Sequence, residues 1–179
     1  MDSPEFVLST ITPNTSSSSS ATPFLPRARF CIYRGMWGEL PENKHNDAPK
    51  NDRVYESELP TFTTDVRMEK VWDFFATGPG KASKREQTMG CGGGGPVEAV
   101  WWCKEDKMQW RIKGSAWVVA RDVEEAEGHE ESSGVRSMKA EVGERMRVVK
   151  EESIGSWSWG KELTGHFGNC SPGMRGTSD

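Results

Sequence analysis

The residues best suited to chemistry fall in three short stretches. Arg29 and Arg34 lie within Ala-Arg-Phe-Cys-Ile-Tyr-Arg-Gly-Met-Trp, a run rich in aromatic and branched side chains. Thr63-Thr64-Asp65-Val66-Arg67-Met68-Glu69-Lys70 puts hydroxyls, a capping residue and two cations together. Gln109, Arg111 and Lys113 alternate with apolar residues farther on. Hydroxyls, Arg and Lys beside a helix start make an anion cradle, because the helix end offers unpaired N–H groups and a positive dipole. A glutamine, which donates and accepts at once, suits a heteroaromatic ring with alternating carbonyls and nitrogens. Each stretch also has a plainer reading: Arg29 and Arg34 as solvated strand charges, the threonine segment as an ordinary capped helix, and the glutamine face as solvent-exposed.

These groups need elements to carry them. Phe6 to Ile11, residues 28–37 and Thr61 to Thr64 read as strands, the last following Pro60. Asp65 has the chemistry of an N-cap, and Val66, Val71, Phe74 and Phe75 fit a short helix ending near Gly78-Pro79-Gly80. Residues 97–103 and 109–120 read as two further strands. In the latter, Trp110, Ile112, Gly114, Ala116 and Val118 share one face, and Gln109, Arg111, Lys113 and Ser115 the other. Val135, Met138, Val142, Met146 and Val149 have helical spacing, and another helix is expected over 157–167. Residues 13–23, with a serine tract at 16–20, residues 78–95, with Gly92-Gly93-Gly94-Gly95, and residues 122–134 read as disordered loops. The glycine run lacks the G-K-[ST] ending of a phosphate loop. Strands interrupted by a few helices predict one α+β domain, residues 1–179, on an antiparallel sheet or barrel.

Composition narrows the function. A chain of 179 residues suits a single domain, and a formal charge of −4 argues against general attraction to nucleic acid. Eight tryptophans, three of them on strands near Arg111 and Lys113, leave a single-stranded nucleic-acid module as a weaker alternative. The four cysteines and three histidines are scattered, so no metal site is expected. No apolar window approaches a membrane span and the N-terminus has no export signal. The expectation is a cytoplasmic protein with free thiols.

The order Arg-x-x-x-x-Arg, Thr-Thr-Asp-x-Arg-x-x-Lys, then Glu-Ala-Val-Trp-Trp with Gln-Trp-Arg-Ile-x-Gly resembles the pyridoxamine 5′-phosphate oxidase-like FMN-binding domains, within the less characterised branch carrying R-G-[FM] and T-D-x-R-x-x-K. The resemblance implies a mainly antiparallel split β-barrel with flanking helices and FMN as cofactor, usually at a homodimer interface. It also implies hydride transfer between an unknown small substrate and the flavin. By the same resemblance Arg29, Arg34, Thr63, Thr64, Lys70 and Gln109 contact FMN, with Lys70 on the phosphate. Arg67 stands in for an arginine that the oxidases carry where Glu69 lies, and Arg111 or Arg34 sits near the pyrimidine end. Thr63 replaces a tyrosine common in the oxidases. Their late tryptophan and arginine are not recognisable, so no catalytic residue is assigned. Ser171 to Gly176 resembles a segment that leads onward to another strand, and the long helix usual before Ser3 is missing. The expectation is a shortened chain, with a non-catalytic flavin-binding fragment as the alternative.

Overall fold

A computed structural model of the chain describes residues 5–15, 22–125 and 129–171. The serine tract and the tail beyond residue 171 lie outside the described residues. Strands β1 (Glu5–Pro13), β2 (Phe24–Ile32), β4 (Gly92–Cys103) and β5 (Met108–Val118) form an antiparallel sheet in the order β2-β1-β4-β5. Strands β3 (Tyr55–Ser57) and β6 (Met146–Val148) pair separately as a small antiparallel ribbon. The helices are α1 (Glu69–Ala76), α2 (Asp122–Glu125), α3 (Ser133–Gly143) and α4 (Trp159–Gly168). The architecture is mixed α and antiparallel β, and the larger sheet does not close into a barrel.

Strand register assigns every side chain to a face, because residues directly opposite in an antiparallel pair point the same way. Phe6, Leu8, Ala99 and Trp101 face inward, and α1 lays Val71, Phe74 and Phe75 over them to make the first core. The second core, with Trp37, Val123, Val135, Met138 and Val142, joins α3 to the 34–64 segment and to the partly buried Trp159 and Leu163 of α4. Ser132 caps α3 by accepting a hydrogen bond from Val135 N at 3.2 Å. The apolar spacing predicts that helix over 135–149, but it ends at Gly143. Met146 to Val148 instead pairs with β3, and Val149 N donates to Val54 O.

Three further expectations change. The 28–37 strand leaves the sheet at Ile32. Arg34 N donates to Thr61 O and Thr61 N to Gly35 O, both at 2.8 Å, so Arg29 and Arg34 do not share one regular strand. Thr61 to Thr64 forms no strand, and Pro60 before it has no N–H to give to a ladder. Gly92 to Gly95 is not a linker. It opens β4 and pairs with β5 across a bulge between Gly93 and Gly95. The reason is close approach of α1: a Cβ on Gly95 would stand 2.7 Å from Phe74 O and 2.6 Å from Thr77 Oγ1.

Candidate functional site

Lys70 occupies the first turn of α1 and is only 8% exposed. Its Nζ donates to Thr64 Oγ1 at 2.9 Å. No carboxylate forms an ion pair with it among the described residues. Burial lowers its pKa, and Arg29 adds to that, against opposing contributions from Cys31 and Asp65. The Cys31 thiol is pushed up by burial, eased by the charges of Lys70 and Arg29. Lys70, Thr64, Arg29 and Cys31 therefore share one electropositive corner, where α1 begins beside the edge strand β2. An ammonium has three donors, so a buried one with a single hydroxyl partner is chemically incomplete.

Asp65 does not cap α1. The helix starts after Met68, which makes no capping bond. The Asp65 carboxylate instead accepts from Arg67 N at 2.8 Å and Arg67 Nε at 2.9 Å, closing a turn ahead of the helix. The contact with Arg67 brings the Asp65 carboxyl down to about 2. Arg67 is thus folded back onto its neighbour on the exposed surface. Arg29 is engaged as well. Its Nη1 donates to Thr10 Oγ1 at 2.8 Å and to Leu8 O at 3.3 Å, and Nη2 lies 3.4 Å from the buried carboxylate of Asp73, to which Thr10 also donates. Neither Asp73 nor Thr10 has a sequence signal that marks it as the partner of Arg29.

Beside this corner lies a cavity of about 1010 Å³, between the inner faces of β4 and β5 and the 57–64 segment. Thr63, Thr64, Trp101, Ile112, Leu163 and His166 are among its lining residues. Gln109 and Arg111 are not. Gln109 pairs with Trp102 and Arg111 with Val100, which places both on the outer face of the sheet, and Arg111 forms an ion pair with Glu98. They stand on edge strand β5, three strand spacings or about 14 Å from β2. One chain therefore brings Lys70, Thr64 and Arg29 together, sets Thr63 on the cavity wall, leaves Arg34 beside Thr61, and holds Gln109 and Arg111 apart.

A second polar centre was not singled out by the sequence, although its residues lie four apart in a helix, the spacing that puts side chains on one face. Glu162 and His166 of α4 are 3% and 4% exposed. His166 Nε2 lies 3.3 Å from Glu162 Oε1, and its ring stacks on Trp37 with centroids 5.5 Å apart. Glu162 also accepts from Gly38 N at 3.0 Å and from Asn51 Nδ2 at 3.1 Å. Burial alone would raise the Glu162 carboxyl, but the contacts from His166, Asn51 and Gly38 together hold it below its ordinary value.

A buried ammonium bonded to a hydroxyl that lines a cavity against an antiparallel sheet has the chemistry to hold a phosphorylated ligand. Residues 1–120 match the family model for the pyridoxamine 5′-phosphate oxidase FMN-binding domain, and the chain belongs to that family. The cofactor of the family is FMN. No curated protein and no solved structure matches the chain. The residues present fit the phosphate end of FMN at Lys70 and Thr64. They do not bring the expected ring contacts of Gln109 and Arg111 to the same place within one chain.

Proposed function

We propose that the protein binds FMN with its phosphate at Lys70 and Thr64, and that it is a flavin-dependent oxidoreductase of split-barrel type acting on a small molecule. The observation that carries this reading is the buried Lys70 ammonium, whose one polar contact among the described residues is the Thr64 hydroxyl. A phosphate would supply the missing acceptors and offset the desolvation of the cation. Arg29 adds positive charge nearby while staying tied to Asp73. Bound FMN supplies the redox chemistry, and the protein supplies placement and electrostatics.

The separation of Gln109 and Arg111 from Lys70 favours a homodimer in which one copy's outer sheet face completes the site of the other. That face carries Phe30 at 78% exposure and Trp102 at 57%, large apolar surface on either side of half-buried Val7 and Val100. Exposed aromatic surface of this kind is typical of interface centres.

The test is a titration of the purified chain with FMN, followed by flavin fluorescence. Binding is expected in the parent, and Lys70→Ala is expected to weaken it by roughly 1–3 kcal/mol through loss of a charged hydrogen bond. Equal affinity in the two proteins would reject the phosphate assignment. A parent that takes up no FMN would reject the flavin reading altogether.

A further inference from the structure

We propose that Glu162 and His166 are positioning residues for the flavin site: a buried pair on α4 that sets the threonine strap, Thr61 to Thr64, at the height where it meets the ligand. This rests on the FMN reading above. The strap belongs to no sheet ladder; beyond the two backbone bonds that tie Thr61 to residues 34 and 35, side chains fix it. Three of them do so in succession. Thr61 donates its hydroxyl to Gly35 O at 2.7 Å and has His166 Nδ1 3.5 Å from the same oxygen. Thr63 Oγ1 accepts from Cys170 Sγ at 3.4 Å, just beyond the C-terminal end of α4. Thr64 accepts from Lys70. The first two grips come from α4 and its C-terminal turn, and only the third comes from the phosphate corner.

The same pair fixes the other limb of the loop. Glu162 takes the N–H of Gly38, and His166 stacks on Trp37 with the rings 5° from parallel. Trp37 N in turn donates to Leu59 O at 2.9 Å, two residues ahead of Thr61. One carboxylate and one imidazole thus connect α4 to both limbs of the loop and to the cavity wall, which His166 itself lines. Stability alone does not require polar groups here. Buried polar and ionic groups contribute little net stability compared with apolar residues of similar volume, and their best-attested use is to fix register.

The test uses the full chain and the double variant Glu162→Leu/His166→Phe, which removes both polar groups and keeps a ring on Trp37. Three quantities are read: urea unfolding, amide exchange at Gly38 and Thr61 by NMR, and FMN affinity by fluorescence. The expected result is retained cooperative unfolding, faster exchange at both amides, and an FMN Kd raised about tenfold. Should the double variant lose cooperative unfolding, Glu162→Gln carries the test, since it keeps a carbonyl for Gly38 N–H. It is expected to unfold like the parent and to bind FMN about threefold more weakly. Unchanged exchange at Gly38 and Thr61 in a folded double variant, or FMN affinity equal to the parent in whichever variant folds, overturns the positioning role alone. A parent that binds no FMN overturns it together with the flavin reading.

Discussion

Lys70 shows how one buried cation links folding to binding. Burial, with help from Arg29, makes the folded chain hold the Lys70 proton less tightly than the unfolded chain does. By linkage, the cost of the buried charge is fully present below the folded pKa and is lost as pH rises from there to the 10.5 of an ordinary lysine, so stability of the free chain rises over that window. Ligand affinity moves the opposite way, because the phosphate needs the ammonium. FMN binding is therefore expected to weaken on going alkaline at a pH below the 10.5 of an ordinary lysine. Fluorescence titrations from neutral to strongly alkaline pH check this. Affinity that stays level until an unperturbed lysine would titrate contradicts it. Arg29 and Arg67 carry the same charge with different consequences. Each has an acidic neighbour within reach, Asp73 and Asp65, and the exposed Arg67 pair contributes little to stability.

At the scale of elements, the seat of α1 on the start of β4 decides whether the corner forms. Gly94 sits at the bulge with φ of +84°, and a Cβ there would stand 2.8 Å from Pro79 Cδ and 2.8 Å from the Trp117 ring. A side chain at that position is both strained and crowded. Gly94→Ala is expected to destabilise the fold by about 1–3 kcal/mol. Urea unfolding midpoints measure it, and a midpoint equal to the parent's would show that the bulge relaxes without loss. The same seat explains why α1 begins after Met68 rather than at Asp65. Its apolar residues Val71, Phe74 and Phe75 are held by the sheet, while Asp65 to Arg67 turn outside it.

At the scale of the whole molecule, the sheet has one covered face and one open face. The row Phe30, Val7, Val100, Arg111 crosses all four strands on the open side, with Trp102 next to it. If a second copy covers this face, Trp102→Glu places a charge at the centre of the contact and is expected to separate the dimer. Light scattering after size exclusion reads this directly as a fall from twice the 20.0 kDa chain mass to one. A parent that is already monomeric would show that Gln109 and Arg111 serve no partner's site. In the dimer reading Trp102→Glu should also weaken FMN binding, although Trp102 lies on the face opposite Lys70.

The sequence by itself determined the elements whose pattern is local. Alternation along β5 and the apolar spacing of α1 and of the first two turns of α3 are read from near neighbours, since strand and helix periods depend only on backbone geometry. The composition of the Lys70 corner was legible too, because Thr64 and Lys70 lie six residues apart in one segment. What lay beyond it were pairings set by chain-distant contacts. Asp73 as the partner of Arg29, Gly38 as the donor to Glu162, and Gly95 as the seat of Phe74 all depend on which surfaces meet. The side of the sheet to which Gln109 points became useful only once the register with β4 was fixed, because a shift of one residue reverses every side chain on a strand.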